Sequence, residues 1–213
     1  MATLSAETIR ELLEPYVIPF STIELSESLI GQVSEYLDLL LRWNARISLT
    51  AIRRPEEIIQ RHFGESFFTA GHLAAQLPAG SELLDYGSGP GFPGLPIQML
   101  LPKVRVTVAE SQARKVAFLR EVIRTLGLSA EVWPRRVEEL PTERRFDAVT
   151  MRAVERMAET VEDATGRVRD GGWMAALVGG VIDVAGAKEF LIPESDHRRL
   201  FIWRNVPRGT SAS

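Results

Sequence analysis

The chain has 213 residues, a net charge of −3 and a hydrophobic fraction of 45%, enough for one larger α/β domain with an added helical piece. It contains no cysteine, which excludes disulfides, thiolate metal sites and cysteine nucleophiles. No apolar run reaches about 18 residues, so no membrane span is predicted. The stretch Met1–Glu7 also lacks the basic and apolar regions of a signal peptide, so a cytoplasmic protein is expected.

Residues 1–80 read as helical. Ser26 is placed to cap a helix in which Leu29, Ile30, Val33, Tyr36, Leu37, Leu40 and Leu41 recur at helical spacing, closed by Trp43-Asn44. The stretch Ile47–Thr50 reads as a short extended piece. Pro55 then opens a helix with Ile58, Ile59 and Phe63 inward and Arg61 and His62 beside them, and Phe67, Phe68 and Leu73 prolong the apolar stripe toward Pro78. No repeat or low-complexity linker interrupts the chain. Residues 1–80 are therefore expected to form a helical cap packed on a core over 81–206, with 207–213 a frayed tail.

From Ser81 the pattern alternates. A first strand ends near Asp85 and a helix follows around Leu95–Leu101. The run Val104–Ala109 is β-branched and ends at Glu110, and Ser111 is placed to cap a helix with Val116, Leu119, Val122, Ile123 and Leu126 inward, stopped by Gly127. Further strands are predicted at Glu131–Trp133, Phe146–Met151, Trp173–Val178 after a Gly171-Gly172 turn, and Arg199–Trp203. Such alternation predicts a mainly parallel sheet with helices on both faces.

The stretch Leu83–Gly94 is the most informative. A short apolar run enters an acid, Asp85; Gly87, Gly89 and Gly91 follow at alternate positions, and Pro93 stands where a helix can begin. This is the pattern of a buried strand feeding a phosphate- or nucleoside-binding turn, where glycine lets a ligand approach the main chain. Gly89-Gly91-Gly94 satisfies G-x-G-x-x-G, so the pattern alone leaves a dinucleotide open. Asp85 can organise the turn or meet an ammonium group, and Pro90 and Phe92 add bulk where a pyrophosphate would lie. Those features suit S-adenosylmethionine, which has an amino-acid end and no phosphates. A turn with no ligand is the plainer alternative.

In open α/β sheets ligands sit beyond the carboxyl ends of the strands. That rule gathers Gly87–Phe92, Glu110, Arg135–Glu139 and Met151–Ala153 around one crevice. Glu110 lies about 20 residues past the glycines, where an acid accepts from ribose hydroxyls. Arg152 ends the fourth strand, either beside the reaction centre or as a salt-bridging arginine. Charge is uneven: residues 103–145 carry ten Lys/Arg against six Asp/Glu, and Arg42, Arg46, Arg53, Arg54 and Arg61 form a second basic group. A basic face on an acidic protein suits recognition of a particular folded RNA, although each such arginine can equally be an ordinary solvated residue.

Over nearly its full length the chain resembles the small-subunit ribosomal RNA methyltransferase family RsmG, also called GidB. The matching stretches are Arg42-Trp43-Asn44, Leu49-Thr50, Arg61-His62, the block Asp85–Gly94, Lys115-x-x-Phe118-Leu119, Arg136-x-Glu138-Glu139 and Arg152-Ala153. The resemblance implies a Rossmann-like S-adenosylmethionine-dependent methyltransferase fold with a seven-stranded type of sheet. It implies methyl transfer to N7 of a guanine in the decoding-region loop of small-subunit (16S) rRNA, with cofactor contacts at Gly87, Phe92, Val137, Glu138 and Arg152. Asp85, Ser88, Gly89 and Glu110 complete the expected cofactor set. Arg53, Arg61, His62, Arg114, Lys115 and Arg136 are the expected RNA contacts. The partner would be ribosomal RNA or a ribosomal particle, and a monomer without a metal is expected.

Guanine N7 is a lone pair without a proton, so its attack on a sulfonium methyl needs alignment and no general base. Accordingly the fourth strand ends Thr150-Met151-Arg152-Ala153, without the Asp/Asn-Pro-Pro-aromatic turn of exocyclic amino methyltransferases. Three positions depart from the family pattern. Val178 stands where the family usually has lysine, Ser48 replaces a common asparagine, and Gly64-Glu65-Ser66 replaces a segment usually carrying aspartate. Competing readings are a methyltransferase for another RNA, a small molecule or a protein, a weakly active RNA-binding relative, and an NAD oxidoreductase.

Overall fold

The computed structural model describes residues 3–21, 23–152, 157–180 and 182–206. Seven strands form one sheet in the order β3-β2-β1-β4-β5-β7-β6. They are β1 (Glu82–Tyr86), β2 (Arg105–Ala109), β3 (Glu131–Trp133), β4 (Phe146–Arg152), β5 (Val168–Val178), β6 (Lys188–Leu191) and β7 (Arg199–Arg204). The pairs β3-β2, β2-β1, β1-β4 and β4-β5 are parallel, whereas β7 runs antiparallel to both β5 and β6. The chain order turns round between β1 and β4, which places the switch point of the sheet at the end of β1.

Alternate residues of the strands feed two apolar clusters. Leu83, Val106, Val108, Ala148, Ala175 and Leu177 face one side, packed with the first helices and with α5 (Gly94–Leu100) and α6 (Ala113–Leu126). Leu84, Tyr86, Val149, Met151, Met174 and Ala176 face the other, with Val137 and with Ala164 of α7 (Met157–Gly166). Burial on both faces is the reason these strands read as continuous apolar runs.

The preceding helices are α1 (Ala6–Val17), α2 (Glu27–Asn44), α3 (Pro55–Ile58) and α4 (Glu65–Ala74). Ser26 caps α2 as predicted, its Oγ accepting from the Leu29 amide at 3.3 Å. Between α3 and α4 the chain widens into a π-helix over Ile59–Gly64. Gly64 touches the Tyr16 ring so closely that a Cβ would come within 2.6 Å of it. Wide turns of this kind cluster at functional sites and re-aim the side chains they carry, here Arg61 and His62.

Several local expectations are corrected. Ile47–Thr50 is not extended; it folds into turns around Asn44, whose Oδ1 accepts from the Leu49 and Thr50 amides at 2.8 and 3.0 Å. Gln112, not Ser111, precedes α6, and its amide donates to Glu110 Oε1 at 2.8 Å. The fifth strand starts at Val168, so Gly171-Gly172 lies inside it at a register shift against β4, a bulge that glycine accommodates. At Gly172 a Cβ would come within 2.7 Å of the Asp147 carbonyl oxygen. Strand β6 and helix α7 are elements beyond those predicted. The tail 207–213 and Ala153 lie outside the described residues.

Candidate active site

The turn after β1 is built from the inside. Asp85 is fully buried, and its Oδ2 accepts from the Gly94 amide at 3.0 Å while Oδ1 accepts from Thr150 Oγ1 at 3.1 Å. Burial pushes its pKa up to about 6 against these bonds. These bonds make the acid an organiser of the turn, the first of the two roles read for it. A Cβ at Gly94 would lie 2.8 Å from Asp85 Oδ2, which accounts for glycine there. Ser88 is also turned inward, its Oγ donating to the Asp85 carbonyl at 3.0 Å and its amide to the Ala109 carbonyl at 2.9 Å.

The outer side of the turn is open. Gly87 and Gly89 have φ of +70° and +55°, and a Cβ on either would meet no protein atom within 4 Å. Phe92 points the other way, stacked between Tyr36 and His62 with ring centroids 5.1 and 4.8 Å away. Tyr36 reaches over Gly91 to donate its hydroxyl to the Pro90 carbonyl at 2.6 Å. Sequence reading counted Tyr36 only as a core residue, because its apolar spacing says nothing of the bond at its tip.

Glu110 ends β2 and is 8% exposed, with Lys115 Nζ 3.9 Å from its Oε2. Across the crevice a short 3-10 turn, Val137–Glu139, carries a buried Val137 and an exposed Glu138. Tyr86 donates to Asp163 Oδ2 at 2.6 Å and contacts Glu138 Oε1 at 3.4 Å, so the end of β1 is tied to both α7 and this turn. Arg167, 6% exposed, donates to the carbonyls of Leu140 and Pro141 at 2.9 Å each and holds the same turn from behind.

Beyond β4 the structure gathers residues that the sequence scattered. Arg152 pairs with Glu65 at 3.2 Å, and Glu65 also meets Arg198. The three side chains are 13%, 3% and 12% exposed, so an ion cluster is enclosed in the protein. Burial pushes the Glu65 carboxyl up, while Arg152, Arg198 and Arg61 pull it back. His62 lies beside them, its Nε2 2.9 Å from Thr50 Oγ1 and its Nδ1 buried without a partner. Burial, then the nearby arginines, hold its pKa well below the usual histidine value. Glu65 was legible only as a charge in an apolar stripe, which calls for a partner but does not name it.

Of the expected RNA contacts, Arg53, Arg114 and Arg136 are exposed and Arg61 is half-buried against Glu57, at 3.3 Å. His62 is enclosed under Phe92, and Lys115 points toward Glu110. Val178 is buried in the second apolar cluster among residues such as Val137 and Met174. Among the described residues, no three His, Asp or Glu side chains cluster so as to hold a metal ion.

A family model described as rRNA small subunit methyltransferase G, GidB, matches residues 29–183. The chain belongs to the GidB family. It is 38% identical over 161 residues to ribosomal RNA small subunit methyltransferase G of Stenotrophomonas maltophilia, covering 75% of this chain and 73% of that protein. The protein of the same name from Chromobacterium violaceum is 36% identical over 158 residues, covering 74% of each. Among solved structures, an RNA methyltransferase from Salinibacter ruber in complex with S-adenosyl-L-homocysteine superposes with a TM-score of 0.55 at 14% identity, over 68% of this chain and 92% of that one. A SAM-dependent O-methyltransferase from Thermotoga maritima gives 0.53 at 15%, over 68% of this chain and 65% of its own. These two likenesses show the Rossmann-like methyltransferase fold. Membership of GidB makes the cofactor S-adenosylmethionine, and the dinucleotide reading of Gly89-Gly91-Gly94 is set aside.

The GidB turn seen here fits such a cofactor. Its open side lies over two glycines with positive φ, bordered by the acid Glu110 and the 137–139 turn. Phe92 and Val137 keep their side chains in the core, which leaves their main chain for any contact with it.

Proposed function

We propose that this chain transfers a methyl group from S-adenosylmethionine to N7 of a guanine in the decoding-region loop of small-subunit rRNA. The observation that carries the reading is the GidB match over residues 29–183, which runs through the glycine turn and its open side. When bound, the cofactor supplies an electrophilic methyl group on a sulfonium. Gly87 and Gly89 admit it to the main chain, Glu110 accepts from ribose hydroxyls, and the 137–139 turn, held by Arg167, borders the base.

The residues around β4 do the positioning. No proton has to leave guanine N7, so none of Asp85, Glu65 or His62 has to act as a base, and each is committed elsewhere: Asp85 to the turn, Glu65 to arginines, His62 to Phe92 and Thr50. Arg152 is held at the strand end by Glu65, which fixes its direction beside the reaction centre. Arg53, Arg114 and Arg136, with Arg61 and Lys115 nearer the crevice, supply attraction for RNA phosphate on a chain of net charge −3.

The test is to incubate the purified chain with methyl-labelled cofactor and small-subunit rRNA from a strain lacking this gene. Label is expected at one guanine N7. Label on another atom, or robust turnover of a metabolite without RNA, rejects the reading.

A further inference from the structure

A cavity of about 660 Å³ lies between Arg61 and residues 191–198, which join β6 to β7. Its place in the sheet matters. Strand β7 enters at Arg199, opposite Val178, and β5 pairs Leu177 with Arg152 of β4. The 191–198 connection therefore stands at the carboxyl edge of β4 and β5, where open sheets bind ligands. Two strand spacings, about 10 Å, separate it from the end of β4.

Its donors are incompletely paired. Three guanidinium groups, Arg61, Arg152 and Arg198, act on one carboxylate, Glu65. Arg198 is fixed by its Nε, which donates to Ser195 Oγ at 3.3 Å, and by Nη1 against Glu65. Arg61 spends Nη1 on Glu57 at 3.3 Å and leaves a buried Nε without an acceptor. A buried guanidinium N–H without an acceptor is costly unless a ligand oxygen completes it. The reacting base is not the anion for these cations, since neutral guanine carries no negative charge of its own. A phosphodiester keeps its negative charge throughout.

The same cavity is lined by Glu194 and Asp196, two acceptors on the turn that carries Arg198. They repel a run of phosphates yet can accept from a sugar hydroxyl, the group that distinguishes RNA from DNA. We infer that the cavity takes one ribose–phosphate unit of the RNA strand, with phosphate on Arg61 and Arg198 and the 2′-hydroxyl on Glu194 or Asp196. This rests on the RNA-methyltransferase reading and deepens it by naming the part of the substrate held on the side away from the cofactor turn.

The experiment titrates the full chain with a short single-stranded RNA and its DNA counterpart across a salt series, with cofactor calorimetry and thermal melting alongside. Arg198→Gln is expected to weaken RNA binding about tenfold and to flatten the slope of log K against log salt by about 0.7, one phosphate contact on a single strand. Cofactor affinity should stay at the parent value. The double variant Glu194→Gln, Asp196→Asn should narrow the RNA-over-DNA preference. If Arg198→Gln melts early, Arg61→Gln gives the same readout from the more exposed side. Unchanged slopes in both arginine variants, or a parent chain that binds no RNA, overturn the assignment. Methyl mapping on the parent separates the two claims. N7 label with unchanged slopes sinks the cavity alone; a flattened slope with no rRNA label leaves the cavity and removes the proposed reaction.

Discussion

The Tyr36 hydroxyl donates to the Pro90 carbonyl at 2.6 Å and thereby ties α2 to the glycine turn after β1 across 54 residues of chain. Gly91 lies beneath this bond, and a Cβ there would come within 2.3 Å of the hydroxyl oxygen. Helix α2 does more than pack on the sheet; it holds down the outer arm of the turn. Tyr36→Phe keeps the stack on Phe92 and removes only the bond. Cofactor affinity should fall severalfold, roughly 1 kcal/mol, measured by calorimetry. Parent affinity in this variant would mean that the turn holds its shape without this bond.

Gly87→Val should separate binding from folding. The protein leaves room for the side chain, since no atom lies within 4 Å of a Cβ at this position. The cost to folding is the left-handed φ of +70°, roughly 1–2 kcal/mol for a residue with a Cβ. The valine would occupy the cofactor's side of the turn, so calorimetry should show binding lost while a cooperative melt survives. Normal cofactor binding would place the site elsewhere.

Glu110→Ala is expected to weaken the cofactor by roughly 1–3 kcal/mol if two ribose hydrogen bonds go with it. It also removes the acceptor for the Gln112 amide at the start of α6. Glu110→Asp, which keeps the charge but shortens the reach, distinguishes the two losses: recovered melting temperature with weak binding points to the ribose role.

Glu65→Ala should be among the more damaging single changes. It leaves Arg152 and Arg198 enclosed without their shared carboxylate, and uncompensated buried charges of this kind cost about 3–5 kcal/mol. Denaturant unfolding measures it. A loss under about 1 kcal/mol would mean that water reaches the cluster.

Two of the three histidines tie stability to pH. His62 is held well below its usual pKa by burial and neighbouring arginines, and burial lowers His72 to about 4. Both are neutral in the fold and take up a proton more readily once unfolded. Their contribution is therefore complete above pH 6.5 and is lost as pH falls below it, each adding a slope of at most about 1.4 kcal/mol per pH unit. Asp85 acts in the opposite sense. Its folded pKa, raised to about 6, gives stability that is present below its unfolded value near 3.8 and lost as pH rises through 6. Melting curves from pH 5 to 8 for His62→Gln should show a shallower acid-side fall than the parent; an identical fall would place the titration on other groups.

Much of the frame was legible because it rests on local rules. Ser26 before an apolar helical stripe reads as a cap, and Gly127 at φ +64° reads as a helix stop. Buried parallel strands show themselves as β-branched runs. The exceptions share a cause. Strand β6 is largely exposed, so no apolar alternation marks it, and the Gly171-Gly172 pair looks like a turn until its bulge against β4 is seen.

The chain's own order of residues determined where the glycine turn after β1 lies, because glycine, proline and an acid within a dozen positions respond to backbone sterics that act locally. Only tertiary structure decided that Asp85 faces inward to Gly94, that Phe92 belongs to the core, and that Glu65, Arg152 and Arg198 meet. The pairings of Phe92 with Tyr36 and of Glu65 with Arg152 and Arg198 join residues far apart in the chain, brought together as helices, strand ends and a strand connection fold onto one another. Burial and charge compensation arise from that closure, and no local spacing encodes them.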